Sequence, residues 1–344
     1  MINVGIVGYG FAGRRFHTYL VGLAKGLQVH AVATRDPARQ QQAREEQRCK
    51  VTATLDDLLV DDAIQLIVLA TPHATHRDLA IRAMDAGKHV VTDKVMCLSV
   101  AEADDMIAAS KRNGVMLSVF HNRRWDWDYQ TVRKVIAEGL LGKPYLFEMA
   151  VMGFGRPRGW RAEAAQSGGV LYDWGAHLVD QALQLVSAPI VNVWCHIKYG
   201  AWGVDIGNYA KLVLRFADDT VAEINTGNLA RKTKPRWYVL GDRGALLKEG
   251  LDPQERAMLS GNIDAAQEDP AQRARVYTGF DGMATEMVVD SVRSSWRAYY
   301  QNVADVLSKG AQLEVTPESV RRDIAVFDAA MESVRSGDSV PTVI

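Results

Sequence analysis

Residues 4–13 read Val-Gly-Ile-Val-Gly-Tyr-Gly-Phe-Ala-Gly, an apolar run that leads directly into the spacing GxGxxG. The residues that follow can form a helix, which places the glycines in a turn between a strand and a helix. There the glycines permit a tight turn, let the backbone approach phosphates and let the helix pack on the strand. Free N–H groups at the start of the helix favour negative charge at the same place. The stretch therefore predicts a site for the pyrophosphate of a dinucleotide, formed by Gly8, Gly10, Phe11, Ala12 and Gly13.

Glycine turns of this kind also occur as ordinary connections between a strand and a helix, so the surrounding sequence decides whether this one is a phosphate-binding turn. The first 120 residues alternate between short apolar runs and helix-forming stretches. The apolar runs predict strands at residues 2–7, 29–33, 64–70, 88–92 and 115–120. The intervening stretches predict helices at residues 13–26, 37–47, 76–86 and 99–113. This order predicts an α/β fold in which residues 1–120 form a Rossmann domain with a doubly wound parallel sheet.

Beyond residue 120 the pattern changes to one of successive strands. Strands are predicted at residues 144–154, 191–199, 208–216, 220–227 and 235–240, and helices at 127–138, 170–186 and 317–336. Such a meander predicts an α+β domain with a large, mostly antiparallel sheet over residues 121–344. We expect this domain to bind the substrate and to mediate oligomerisation, and its last helix can pack back on the first domain. Residues 252–272, rich in charge and glutamine, predict an excursion on the surface.

Composition excludes several classes of protein. The formal net charge of -1 at pH 7 argues against a surface that collects nucleic acid or anionic lipid. Three widely separated cysteines fit free thiols in a reducing compartment better than a disulfide scaffold. Because no leader precedes the first strand and no apolar run approaches about 18 residues, we expect a cytoplasmic protein without a membrane partner.

The end of the second predicted strand bears on the identity of the dinucleotide. A NAD site usually has an acidic residue there, which accepts hydrogen bonds from the ribose, whereas a 2′-phosphate favours arginine. Here Thr34 takes the place of the acid, and Arg35 can stack on adenine while pairing with the phosphate. We therefore predict NADP, with NAD as the alternative. In the other interpretation Arg35 is a solvated loop residue and Asp36 caps the next helix.

Two further segments carry candidate catalytic groups. Lys94 follows the strand at 88–92, at a carboxyl end of the sheet where ligands bind, and it can donate to a substrate hydroxyl. The alternative is an ion pair with Asp93 at the surface. Asp173 and His177 lie one helical turn apart in a polar stripe, which is either a solvated face or a base beside a carboxylate. Oxidation of an alcohol needs a hydride acceptor and a group that removes the hydroxyl proton, and His177 fits the second role.

These segments together resemble a known family. Residues 8–13, 70–76, 93–94 and 168–180 are similar, in order and spacing, to the glucose-fructose oxidoreductase and inositol dehydrogenase (Gfo/Idh/MocA) family. Residues 118–126 and 250–255 resemble the branch that contains NADP-dependent scyllo-inositol dehydrogenases. The resemblance covers essentially the whole chain.

The resemblance implies roles for individual residues. Lys94 corresponds to the lysine of the Glu-Lys-Pro motif, which bonds the reacting hydroxyl, and Asp173 and His177 correspond to the Asp and His of the family, with the His as proton acceptor. It also implies cofactor contacts at Ala70, Thr71, Pro72, His73, His76, Asp93, Lys94, Asn122, Trp160 and Arg161. Arg123 is implied near the substrate. Val95 stands in place of the motif's proline, so the resemblance does not extend to the rigidity of the turn around Lys94 or to the substrate preference that depends on it.

We therefore predict an NADP-dependent dehydrogenase that acts on a secondary hydroxyl of a cyclic polyol, sugar or sugar derivative, with an inositol-like substrate favoured. Lys94, Asp173 and His177 would be catalytic, and Trp125, Trp160 and Trp174 could offer flat surfaces to a ring, although core packing is the commoner fate of tryptophan.

Three alternatives stay open from the sequence. The same fold could serve as a nonenzymatic dinucleotide sensor, or as a dehydrogenase of a glycoside or another non-inositol substrate. A zinc enzyme is the third, since His73 and His76 have suggestive spacing, but no Cys or Glu cluster accompanies them, and we predict no metal. The open face of the long sheet predicts a homodimer or homotetramer.

Overall fold

The computed structural model describes residues 1–280 and 282–344, and these divide into two compact units. The first unit comprises Met1–Asn122 and Trp296–Ile324, and the second comprises Arg123–Ser295 and Ala325–Ile344. Among the helices of these residues, none combines the length and apolar character needed to span a lipid bilayer.

The first unit is built on a parallel sheet. Its strands are β1 (Ile2–Val7), β2 (Leu27–Ala33), β3 (Lys50–Thr52), β4 (Leu66–Leu69), β5 (His89–Thr92) and β6 (Leu117–Val119). They pair in the order β3-β2-β1-β4-β5-β6. All four residues of β4 are buried, as expected for a central strand. The predicted doubly wound sheet is confirmed. The sequence did not reveal β3, since it has only three residues and none of them is fully buried.

Helices connect these strands. They are α1 (Thr18–Leu23), α2 (Pro37–Gln47), α3 (Asp56–Leu59), α4 (His76–Asp85) and α5 (Val100–Asn113). The predicted start of α2 is confirmed, because the Asp36 side chain accepts hydrogen bonds from the N–H groups of Ala38 and Arg39. The helix predicted at 13–26 is confirmed with different bounds: residues 11–23 are helical without a break, and within them the π-helical turn Gly13–His17 precedes α1.

The second unit contains a large sheet. Its strands are β7 (Pro144–Met152), β8 (Ile190–Lys198), β9 (Tyr209–Phe216), β10 (Val221–Gly227), β11 (Trp237–Gly241), β12 (Gly244–Lys248), β13 (Ala274–Phe280), β14 (Met283–Val289) and β15 (Val340–Pro341). They pair in the order β14-β13-β12-β11-β7-β10-β9-β8-β15. Among the described strands of this second sheet, only β7 and β10 pair in parallel, which confirms a mostly antiparallel sheet. The sequence did not reveal β12, β13, β14 or β15; in β14 none of the residues is fully buried and the apolar pattern is weak.

The remaining helices are α6 (Trp127–Ala137), α7 (Ala164–Ser167), α8 (Trp174–Leu185), α9 (Gln254–Leu259), α10 (Arg297–Lys309) and α11 (Pro317–Ser336). Helix α8 packs on β7 and β10 and buries nearly all of its residues. The helix predicted at 170–186 is shorter than expected, because a 3₁₀ turn, Val170–Tyr172, comes first and Asp173 breaks the helical backbone.

The surface excursion predicted at 252–272 is confirmed in part: about half of its residues are exposed, but others are buried. Met258 and Ile263 from this stretch are buried, and so are the polar side chains of Asp252 and Gln254. Glu268 accepts a hydrogen bond from the buried ammonium of Lys248 at 2.6 Å. The buried part was not predicted, because the partners of its polar groups, such as Trp127 for Asp252 and Lys248 for Glu268, lie elsewhere in the chain.

Candidate active site

The glycine turn lies at the point where the strand order of the first sheet reverses. Strands β1 and β4 are neighbours there, and the N–H of Ala70 donates to the carbonyl of Val7 at 2.8 Å. Gly8 has φ +96°, and a Cβ on it would lie 2.3 Å from the carbonyl oxygen of Ala70. Only glycine meets both conditions. In doubly wound sheets, ligands bind in the crevice at this reversal.

Gly10 and Gly13 differ in what surrounds them. A Cβ on Gly13 would lie 2.0 Å from the carbonyl oxygen of Gly8, so the turn packs directly on the helix that follows it. The nearest atom to a Cβ on Gly10 would be the Arg39 guanidinium, at 3.5 Å. The backbone at Gly10 is therefore open to a ligand, as a phosphate-binding turn requires. Phe11 is exposed beside this opening, with its ring 5.6 Å from that of Phe16.

A cavity of 440 Å³ lies beside the turn. It is lined by Val7, Gly8, Ala33, Thr34, Arg35, Asp36, Arg39, Ala53, Thr54, Leu55, Asp56, Thr71, Pro72, Thr75, Leu79 and Arg82. The Arg82 guanidinium pairs with Asp56, and the Asp36 carboxylate is engaged in capping α2. Thr34 is buried, whereas Arg35 is exposed to the cavity. Three arginines against two carboxylates fit an anionic ligand such as a phosphorylated dinucleotide.

Asp93 and Lys94 follow β5. The Asp93 carboxylate accepts the N–H of Lys94 at 2.8 Å and lies 3.7 Å from the Nε2 atom of His17, which is buried. Burial opposes the charge on Asp93, but the attraction of the nearby His17 and Lys94 side chains outweighs it and lowers the pKa of the carboxyl group. The carboxylate is therefore charged and oriented next to Lys94.

His76 holds the turn that follows Lys94. The peptide bond between Lys94 and Val95 is cis. The Nδ1 atom of His76 lies 2.8 Å from the carbonyl oxygen of Val95, and its Nε2 atom lies 3.0 Å from that of Thr71. His76 is fully buried, and burial lowers its pKa. The sequence placed His76 along the cofactor and, with His73, as a possible zinc ligand. In the structure both of its ring nitrogens face protein carbonyls, which gives it a supporting role in this turn, and its contact with the cofactor stays a prediction.

Asn122 ends the first unit. It is 2% exposed, and its Nδ2 atom has no hydrogen-bond partner among residues 1–280 and 282–344. A buried amide donor without a partner is costly, so a bound ligand is a natural acceptor for it. The open Gly10 and the unpartnered Asn122 amide both fit the bound dinucleotide that the sequence predicts.

In the second unit, Trp174 and His177 lie on the first turns of α8. Their rings are 5.8 Å apart, and the Arg123 guanidinium lies 4.1 Å from the centre of the Trp174 ring. His177 is buried, and Asp173 immediately precedes the helix. The chain reaches this helix through Gly169, where a Cβ would lie 3.0 Å from the carbonyl oxygen of Ile206.

The polar stripe of α8 is not a solvated face. Asp180 and Gln181 are buried. The Asp180 carboxylate pairs with Arg124 at 2.6 Å. The Gln181 amide donates to the backbone carbonyl of Arg123 at 2.8 Å and accepts from Arg236 at 2.6 Å. The interpretation of this stripe as a wet surface is therefore wrong, and the stripe belongs to a buried polar network that the sequence did not reveal.

The other tryptophans predicted near the substrate are half-buried. The backbone carbonyl of Trp125 accepts a hydrogen bond from the Gln254 amide at 3.0 Å. Trp160 lies in a 3₁₀ turn, Gly159–Ala162, where the Arg161 guanidinium is 4.5 Å from the centre of its ring.

The parallel sheet, the glycine turn at its reversal and the arginine-lined cavity define a dinucleotide-binding protein of the α/β class. Residues 2–121 match the family described as an oxidoreductase family with an NAD-binding Rossmann fold, and residues 129–247 match the GFO/IDH/MocA C-terminal domain. The chain therefore belongs to the Gfo/Idh/MocA family of oxidoreductases.

Individual relatives cover nearly the full length. The chain is 31% identical to scyllo-inositol 2-dehydrogenase (NADP(+)) IolW of Bacillus subtilis, over 96% of this chain and 93% of the relative. It is 32% identical to the uncharacterized oxidoreductase YdgJ of Escherichia coli, over 97% and 96% of the two chains. The solved structure of the oxidoreductase yvaA from Bacillus subtilis superposes with a TM-score of 0.93, at 29% identity over 99% and 98% of the two chains.

Proposed function

We propose that the protein is an NADP-dependent dehydrogenase that transfers a hydride between the nicotinamide and a secondary hydroxyl of a cyclic polyol, sugar or sugar derivative, with an inositol-like substrate favoured. The observation that carries the proposal is the cavity at the sheet reversal. Arg35 lines this cavity. The acidic residue next to it, Asp36, accepts hydrogen bonds from the first turn of α2. A relative named as an NADP-dependent scyllo-inositol dehydrogenase supports both the cofactor and the substrate class.

The cofactor, when bound, supplies the acceptor or donor of the hydride. The protein must then bind the hydroxyl group and move its proton. Lys94, at the carboxyl end of β5 and beside the charged Asp93, is proposed to donate a hydrogen bond to the hydroxyl oxygen. His177 is proposed to accept the hydroxyl proton, and Asp173 to orient His177 and stabilise its charged form. We assign cofactor contacts to the glycine turn, the strand ends and Asn122, and substrate contacts to Arg123.

Turnover measurements on two variants test the assignment. With NADP and a panel of inositols, hexoses and glycosides, His177→Ala and Lys94→Met should lose turnover by about 100-fold or more, as expected for groups that transfer protons. Binding of NADPH, measured by fluorescence titration, should be retained at least in His177→Ala. The exposed lysine of α5 offers a matched control, Lys111→Met, which should turn over like the parent. Unchanged turnover in both test variants would refute the mechanism.

The same panel separates the alternatives. NADPH binding without turnover of any alcohol would favour a nonenzymatic sensor. Turnover of glycosides but not of free inositols would favour a different substrate within the same chemistry. Turnover with NAD as efficient as that with NADP would contradict the role proposed for Arg35.

We also propose that the chain forms a homodimer or homotetramer through the open face of the large sheet. Along β9, buried residues alternate with less buried ones, so the two faces of the sheet differ in how well they are covered. A face of this kind is a natural surface for self-association. Light scattering during size-exclusion chromatography gives the assembly directly, and a monomeric mass would contradict this proposal.

A further inference from the structure

A chain of polar side chains runs from α10 to Lys94 within the first unit. The hydroxyl oxygen of Tyr300 lies 2.6 Å from the Nδ1 atom of His17. The Nε2 atom of the same ring lies 3.7 Å from the Asp93 carboxylate, which accepts the backbone N–H of Lys94. Tyr300 and His17 are fully buried, whereas Asp93 and Lys94 are partly buried. The proton and hydride transfer proposed above uses Lys94 but gives no role to His17 or Tyr300.

Packing holds the His17 ring in place. His17 ends the π-helical turn that follows the glycines, so its backbone belongs to the segment that forms the phosphate-type turn. The centre of its ring lies 4.6 Å from that of Phe120 and 6.1 Å from that of Tyr300. Because the ring has no contact with solvent, each of its nitrogens depends on protein groups for hydrogen bonds.

The Tyr300 hydroxyl decides which nitrogen of His17 carries the proton. Burial raises the pKa of Tyr300, so the hydroxyl keeps its proton. Among residues 1–280 and 282–344, this hydroxyl has a hydrogen bond with His17 alone. A buried O–H group without an acceptor is costly, so the hydroxyl donates to Nδ1. A ring nitrogen that accepts a hydrogen bond carries no proton, and the N–H of His17 is therefore at Nε2, facing Asp93.

A neutral His17 leaves the charge of Asp93 to Lys94. Besides His17, the ionisable groups that act on Asp93 include Lys94 and His76. Burial lowers the pKa of His76, so its ring is uncharged at neutral pH. Lys94 is then the cation that stabilises the charge of Asp93. A protonated His17 would compete with Lys94 for that charge, whereas a neutral N–H at 3.7 Å, beyond hydrogen-bond distance, orients the carboxylate through its dipole.

We propose that Tyr300 and His17 are positioning residues that keep Asp93 charged and directed toward Lys94. Tyr300 opposes protonation of Nδ1, His17 presents its Nε2–H to Asp93, and Asp93 holds Lys94 at the reacting hydroxyl. The inference rests on the proposed function, since it takes Lys94 as the group that binds this hydroxyl. Neither Tyr300 nor His17 has to contact the substrate for this role.

Two adjacent tyrosines on α10 give a matched pair of variants. Tyr299 is as buried as Tyr300, but its hydroxyl lies 3.0 Å from that of Ser118 instead of a nitrogen of His17. Tyr300→Phe and Tyr299→Phe each remove one buried hydroxyl and its hydrogen bond, so both should lower stability to a similar extent. Thermal melts verify that both variants are folded. Only Tyr300→Phe interrupts the chain to Lys94.

Nitrogen NMR of protein with isotope-labelled histidine tests the tautomer without turnover. At neutral pH in the parent protein, Nδ1 of His17 should be unprotonated and Nε2 protonated, with the His17 signals identified by their absence in His17→Gln. In Tyr300→Phe a larger fraction of the ring should carry a proton on Nδ1, and Tyr299→Phe should match the parent. A charged or Nδ1-protonated His17 in the parent protein would overturn the inference, even if Tyr300→Phe does not fold.

Two measurements follow the effect to Lys94. In steady-state kinetics with NADP and the best substrate of the panel, Tyr300→Phe should lower kcat about tenfold with KM nearly unchanged, because a displaced lysine acts mainly on the transition state. Tyr299→Phe should turn over like the parent. The carbon NMR signal of dimethylated Lys94, identified by its absence in Lys94→Met, should move in Tyr300→Phe and stay in place in Tyr299→Phe.

These readouts separate the inference from the proposed function. The expected NMR signals, without turnover of any alcohol by the parent protein, would support the chain from Tyr300 to Lys94 and refute the dehydrogenase. An active parent enzyme whose kcat is unchanged in Tyr300→Phe, or is lowered equally in Tyr299→Phe, would keep the dehydrogenase and overturn the inference. A Lys94 signal that does not move in Tyr300→Phe would overturn it as well.

Discussion

Replacing Gly10 with alanine should separate cofactor binding from folding. The nearest heavy atom to the new Cβ would be a guanidinium nitrogen of Arg39 at 3.5 Å, an ordinary contact with the end of a flexible side chain. The free energy of unfolding should therefore change by no more than about 0.5 kcal/mol. The methyl group would, however, stand where the backbone approaches the phosphates. Losing one charge-assisted hydrogen bond of about 1.5–3 kcal/mol raises the Kd for NADPH roughly tenfold to 100-fold.

Gly13→Ala should behave differently. Its Cβ would lie 2.0 Å from the carbonyl oxygen of Gly8, well inside the 3.4 Å at which ordinary contact begins. Relief requires the turn to move away from the helix, and overpacking of this kind costs about 1–3 kcal/mol. The melting temperature should fall by roughly 2–4 °C for each kcal/mol. NADPH binding should weaken as well, because the turn itself is displaced.

Gly22→Ala is the matched control. Gly22 lies within α1, and a Cβ there would have no other atom within 4 Å. This variant should gain about 0.5–1 kcal/mol of stability, as alanine does in a helix interior, with no effect on NADPH. Fluorescence titration and thermal melts of the three variants are the assay. The reasoning about the phosphate turn is refuted if Gly10→Ala binds NADPH within twofold of the parent protein.

Three further changes probe other parts of the molecule. Arg35→Ala should raise the Kd for NADPH about tenfold, equivalent to roughly 1.4 kcal/mol, and leave that for NADH within twofold in parallel titrations; equal losses would contradict a 2′-phosphate contact. Burial raises the pKa of the Asp252 carboxyl group to about 6 in the folded protein, compared with about 3.9 in an unfolded chain. The protonated group therefore contributes fully to stability below about pH 3.9, and this contribution is lost as the pH rises through the folded value. Asp252→Asn should therefore reduce the decline in the free energy of unfolding between about pH 4 and 7, measured by urea unfolding. An unchanged dependence on pH would contradict this role of Asp252. Asp128→Ala leaves the buried Arg236 guanidinium, 2.8 Å away, without its carboxylate partner and should cost about 3–5 kcal/mol, against about 0–1 kcal/mol for Glu148→Ala in a partly exposed pair. Similar costs would show that burial does not set the difference.

Local patterns predicted much of the first unit. The apolar run before Gly8, the cap at Asp36 and the end of α5 at Gly114 are each defined by a few neighbouring residues. Strand and helix periodicity and capping depend on side chains within one or two turns, so they can be read without knowing the rest of the chain. The order of these elements then limits the sheet to very few topologies.

The candidate site was predicted less completely. Lys94 and His177 were singled out by position and by resemblance, and their roles stay predictions. The sequence did not predict the contacts that hold the neighbouring backbone in place, such as those of His76 with two backbone carbonyls. A histidine in a motif looks the same in sequence whether it faces a ligand or holds a loop.

What the sequence by itself determined is most of the order of strands and helices in the first unit, the glycine turn at residues 8–13 and the family. The tertiary structure alone decided which charges are buried and with whom. Asp252 meets Trp127, and Arg236 meets Asp128 and Gln181, across separations of 55–125 residues. The physical reason is that the pairing of polar groups compensates their burial only when the fold brings them together. In the chain alone, these charges are indistinguishable from those of a solvated surface.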